Sequence, residues 1–225
     1  GYTFSNVISN HSIFVEFARN YYTITAITGE NGSITPSGII TVNYGDNQTF
    51  DFIANEGYHV SEIKVDGQSL TEDETSIAII NGYTFIDVED YHTIEVSFAI
   101  NMYTVTASIS GIGSITPQGE SVVKHGKAIF YEIQAGEGYE VESIYIDGVM
   151  LSENEKDKVI DEGYTFTNVQ DNHAITINFE LIKFTITLNV NGDANVTSEQ
   201  GIDEVSYGQD KTFVVDANFG NFNVE

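Results

Sequence analysis

The sequence predicts an all-β protein made of tandem β-sandwich (Ig-like) repeat domains of about 81 residues. Three observations predict it. One pattern occurs three times, as GYTFSNVISNHSIFVEFA from Gly1, GYTFIDVEDYHTIEVSFA from Gly82 and GYTFTNVQDNHAITINFE from Gly163. Apolar and polar residues alternate over short segments, the period of a half-buried strand. The only two prolines, Pro36 and Pro117, occupy matched places in GSITPSG and GSITPQG, where a strand can end without losing an inner ladder bond.

The period organises the chain. His11, His92 and His173 keep the spacing of the three glycines, as do Tyr22, Tyr103 and Phe184, and residues 21–101 overlay 102–182 without a gap. Residues 21–101 and 102–182 therefore read as complete repeats, 1–20 as the C-terminal part of a preceding repeat and 183–225 as the N-terminal part of a following one. Each repeat opens on a strand: Tyr22/Ile24, Tyr103/Val105 and Phe184/Ile186/Leu188 face the core, with threonines opposite. The third start carries Ala194 and Ser198 where the others have Gly and Pro.

Further along, in YHVSEIKVDG and YEVESIYIDG, apolar parity switches from Tyr58/Val60 to Ile63/Val65 and from Tyr139/Val141 to Ile144/Ile146, which predicts a bulge. Asp66-Gly67 and Asp147-Gly148 then read as tight hairpin turns. SENEKDKVIDEG carries Ser152, Glu155 and Gly163 where a short capped helix needs them, whereas its counterpart TEDETSIAIING is more strand-like. The repeat closes on a strand, with Ile94, Val96 and Phe98, or Ile175, Ile177 and Phe179, turned inward.

Composition narrows the function classes. The 34 acidic residues against 8 basic ones give a formal charge of −26, which repels nucleic acid and anionic membranes. The 13 Tyr and 14 Phe supply core material that a disordered acidic tail lacks. With no Cys there is no disulfide framework and no thiolate metal site, and no segment approaches the length of a membrane span.

Candidate sites are few. The recurring residues are Gly82, Tyr83, Phe85 and His92, with Gly163, Tyr164, Phe166 and His173 as counterparts, residue types of turns and cores. The histidines invite a metal or general-base reading, but no second histidine recurs within a repeat: His59 aligns with Glu140, and His125 with Tyr44. A structural histidine, bonded to a strand-end carbonyl, fits better. Asp87, Glu89 and Asp90 form the calcium candidate, with the hard oxygens that ion prefers. Their counterparts Asn168, Gln170 and Asp171 weaken it, so diffuse cation screening is the expectation and no cofactor is assigned. A catalytic constellation is needed once per active site and nothing of that kind recurs, so no catalytic residue is named. Phe14 and Tyr21 are the aromatics expected to be exposed, and the counterparts of Phe14 are Glu95 and Thr176.

NGSITPSG, VNYGDNQTF, EGYHVSEIKVDG and GYTFTNVQDNHAITINF, in this order, resemble the divergent internalin-type B-repeats that stand in tandem in large bacterial cell-surface and secreted proteins. The resemblance covers essentially the whole chain. It implies an extracellular or cell-surface location and a role as spacer, stalk or filament segment, with an adhesin module binding host or carbohydrate ligands as the alternative. It also implies a β-grasp-like fold as the alternative to the sandwich. The expected partners are copies of the chain or further repeats of the same polypeptide, joined end to end by stiff linkers: ARNY, AINM and ELIK hold no Gly, Pro or Ser run.

Overall fold

The computed structural model describes residues 1–187, 195–196, 202–212 and 215–216, and divides into two compact units, 1–101 and 102–225. In the first unit the elements are β1 (Tyr21–Thr28), β2 (Gly32–Thr35), β3 (Gly38–Asn43), β4 (Gln48–Ala54), β5 (Tyr58–Val65), β6 (Gln68–Ser69), α1 (Glu72–Asn81), β7 (Tyr83–Phe85) and β8 (His92–Ile100). They form a five-stranded sheet of order β3-β1-β8-β5-β6 and a three-stranded sheet of order β2-β4-β7. One core joins both sheets and the helix, with Ile24, Phe50, Ile63 and Ile94 fully buried beside Ala78 of α1.

The two sheets around one core satisfy the all-β expectation. Two features lie outside a purely antiparallel sandwich. The first and last strands run parallel at the centre of the larger sheet, Ile24 opposite His92 through Thr28 opposite Val96, and a helix covers part of the core. A parallel pair needs a long crossover, and here almost the whole repeat supplies it.

Local chemistry explains the elements. The ladder between β5 and β8 slips between Val60 and Glu62, the bulge that the parity switch demands. Asp66 and Gly67 have φ of 50° and 76°, the paired left-handed conformation of a two-residue hairpin closed by Val65 opposite Gln68. Segment 71–82 is helical, which corrects the strand-like reading. The Glu74 amide donates to Thr71 Oγ1 at 3.3 Å and the Thr71 amide to Glu74 Oε2 at 2.9 Å, a capping box that nucleates α1. Only Ala78 of α1 is buried while Ile77, Ile79 and Ile80 lie exposed, so no apolar stripe announced the helix.

The second unit repeats this order as β9 (Met102–Ser110), β10 (Gly113–Thr116), β11 (Gly119–Lys124), β12 (Ile129–Ala135), β13 (Tyr139–Ile146), β14 (Val149–Met150), α2 (Glu153–Glu162), β15 (Tyr164–Phe166) and β16 (His173–Leu181). Its sheets have the orders β11-β9-β16-β13-β14 and β10-β12-β15, β16 pairs with β9 in parallel, and the bulge recurs between Val141 and Ser143. The helix that Ser152 and Glu155 predicted is present, with the Ser152 amide and hydroxyl both donating to Glu155 Oε2. Core volume is redistributed between the copies: Phe52 and Ala78 in the first become Ile133 and Val159 in the second. Phe50 becomes Tyr131, whose hydroxyl donates to the Val105 carbonyl at 3.5 Å.

Beyond β16 lie β17 (Lys183–Thr187), β18 (Asn195–Val196), β19 (Ile202–Ser206) and β20 (Val215–Asp216), with β17 antiparallel to β19 and β18 to β20. Phe184 and Ile186, read as core-facing, are exposed. Leu188, Ala194 and Ser198 lie outside the described residues. Residues 1–20 correct the expectation of closing strands: they form no strand, and Phe14 and Phe17 are 87 % and 91 % exposed.

Candidate functional site

The recurring residues converge on one place in each repeat. In the first, the Tyr83 and Phe85 rings meet edge to face at 5.1 Å, and Phe85 faces the His92 ring at 4.7 Å. In the second, Tyr164 and Phe166 meet at 4.9 Å, and His173 stacks on Phe166 at 4.8 Å. Phe85 and Phe166 bind this ladder to the core through T-shaped contacts with Phe50 and Tyr131. The ladder survives in residues 1–20, where Tyr2 meets Phe4 edge to face and Phe4 stacks on His11, each at 5.0 Å, although the segment is exposed.

The histidine's partner is not a carbonyl, as expected from the sequence, but a carboxylate. His92 Nδ1 lies 2.7 Å from Asp66 Oδ2, and His173 Nδ1 2.8 Å from Asp147 Oδ2. The other carboxylate oxygen accepts from the first amide beyond the histidine, Thr93 at 2.7 Å and Ala174 at 2.8 Å. Each Asp is the first residue of the hairpin turn, so one side chain ties the β5–β6 or β13–β14 turn to the start of the closing strand. Sequence reasoning read Asp66 and Asp147 only as turn formers. The clue was present: both stand 26 residues before their histidine.

Electrostatics follow from this geometry. Partial burial raises the Asp66 carboxyl, but bonds from the Thr93 amide and the His92 ring outweigh it and hold the group below its ordinary value. Burial pushes the Tyr83 hydroxyl up, helped by the nearby Asp66 and Glu74 charges, and Tyr164 likewise, helped by Asp147.

His92 borders a shallow depression of about 390 Å³ lined by Thr23, Thr25, Asp66, Tyr91 and Thr93. The lining is reiterated only in part: Asn172 and Ala174 replace Tyr91 and Thr93, and Asn172 Oδ1 accepts from the Thr104 amide at 2.8 Å. What is repeated is the His–Asp strut, which orients a turn and packs on an aromatic, together with the threonine pair Thr23/Thr25 or Thr104/Thr106.

The acidic loop is engaged internally. Tyr44 donates its hydroxyl to Glu89 Oε1, Asp90 Oδ1 accepts from the Tyr91 amide, and the Asp87 amide donates to Asn47 Oδ1. Among the described residues no three His, Cys, Asp or Glu side chains gather as a metal-holding group, and no helix is long and apolar enough to cross a membrane.

The family model of the divergent InlB B-repeat domain matches residues 22–86, from the second residue of β1 to the residue after β7. No curated protein and no solved structure shows a significant match. The matched segment leaves out the first residue of the repeat, the loop 87–91, the closing strand and Asn101, and the second unit repeats the elements it holds. Over residues 22–86 the chain matches the divergent InlB B-repeat domain, the family its motifs resemble.

Proposed function

We propose that the chain is a non-catalytic spacer segment of a bacterial surface protein, a semi-rigid rod that extends by adding B-repeats and associates with further repeats of its own kind. The B-repeat family is one of bacterial surface repeats, which supports the location. The observation that carries the reading is the identity of what is reiterated. The two copies share strand order, parallel centre, bulge, capped helix and His–Asp strut, whereas Tyr91 and Thr93 beside the strut and the exposed face of the helix are substituted. Selection for a ligand site would preserve the lining, while selection for a building block preserves the frame.

Two measurements test the reading together. Antibody raised to the purified chain should label intact producing cells, and electron microscopy of the purified chain should show elongated particles. Labelling only after lysis, or compact round particles, would contradict it.

A further inference from the structure

Where the second repeat meets the opening strands of the third, one linker residue is held from both sides. The Ile182 amide donates to the Gly138 carbonyl at 2.9 Å, and the Ile182 carbonyl accepts from the Tyr207 amide at 2.8 Å. Gly138 belongs to the turn before β13, and Tyr207 directly follows β19. The Tyr207 ring lies against Gly138 so closely that a Cβ there would meet its Cδ1 at 2.3 Å, and Gly138 also has a φ of 77°. Tyr207 is fixed further by its hydroxyl, which donates to Glu137 Oε1 at 3.2 Å, and by Phe184, whose ring centroid is 6.5 Å away.

We propose that the Glu137-Gly138 turn of the second repeat is a socket for Tyr207, the aromatic that follows the third strand of the next repeat, and that the clasped linker residue makes the joint stiff. The partner of this surface is a B-repeat of the same kind, presented end to end. Each half of the clasp recurs in the first unit. The Asn101 amide donates to the Gly57 carbonyl at 2.8 Å, the socket half, and the Tyr44 amide donates to the Asn20 carbonyl at 2.9 Å, the aromatic half. Glu56-Gly57 and Glu137-Gly138 match in sequence, and Tyr44 matches Tyr207, with His125 at that place in the second repeat. A Tyr seated on a Gly restricts rotation about the linker because a side chain at the Gly would occupy the place of the ring. The bond to Glu137 adds direction to the contact.

The proposal deepens the rod reading, on which only the purpose of the joint rests; the joint can be tested without reference to the cell surface. The chain has no cysteine, so Asn154→Cys on α2 and Asp210→Cys beyond β19 give a unique spin-label pair across the joint. Double electron–electron resonance should yield one narrow distance distribution for the otherwise unaltered chain. Tyr207→Ala should broaden its width at least twofold, Tyr207→Phe should leave it nearly unchanged, and Gly138→Ala should broaden it as Tyr207→Ala does. The melting of repeat 102–182, followed in parallel, should not move in Tyr207→Ala, because Tyr207 lies outside that core. A broad distribution before substitution, or one that stays narrow in Tyr207→Ala, overturns the proposal. Failure of surface labelling with this pattern intact would count against the rod's location and not against the joint.

Discussion

His92 and His173 show how a residue can recur for reasons that are neither catalytic nor simply apolar. Each stacks on a core-anchored Phe and bonds to the Asp of a left-handed turn, so removing the imidazole loosens two contacts together. His92→Ala should destabilise the first repeat by about 1 kcal/mol, the scale of one net hydrogen bond. Asp66→Ala should cost more, about 2 kcal/mol, because it also orphans the Thr93 amide and places Ala at a left-handed φ that Asp tolerates better. Denaturant titration of the two variants checks the order, and an Asp66→Ala loss no larger than that of His92→Ala would refute the strut. The Asp66 carboxyl is held below its ordinary value, so its contribution is fully present above the unfolded carboxyl pKa of about 3.9. It should be lost as pH falls through the lower folded value. Asp66→Asn should flatten that acid limb of the stability profile. The pairing escaped sequence reasoning because alternation reports which face a strand buries, not which turn its first residue will meet.

At the scale of elements, what could be read was whatever had a local cause. The Val60–Glu62 bulge shifts parity within one strand, the Asp-Gly turns need adjacent residues only, and the Ser152–Glu155 box spans one helical turn. Segment 71–82 was misread because its isoleucines carry β-propensity and its helix buries only Ala78, while the deciding cap is the pair Thr71 and Glu74. Thr71→Ala should therefore cost about 1 kcal/mol, as for other N-caps, measured by thermal unfolding of the chain. An unchanged midpoint would show that packing alone holds α1. The parallel pairing of β1 with β8 was beyond local reading altogether. It joins residues some 70 apart, and the alternation of either strand is compatible with a neighbour of either direction.

The whole molecule is governed by reiteration and by its charge of −26. Nearly uncompensated carboxylates repel one another, so added salt should raise the melting temperature by general screening. Chelator should lower it only slightly, with sodium or magnesium replacing calcium; a stoichiometric calcium isotherm of high affinity, mapped to Asp87, Glu89 and Asp90, would contradict this. The central claim, that the repeat itself is the functional unit and that adding repeats adds length, is tested most directly by inserting one more copy of residues 102–182 after Ile182. The maximum dimension of the original and extended chains would then be measured by small-angle X-ray scattering. The account predicts that the inserted repeat lengthens the particle by close to its own long dimension, with an unchanged cross-section. A particle that thickens, or that grows no longer, would contradict it.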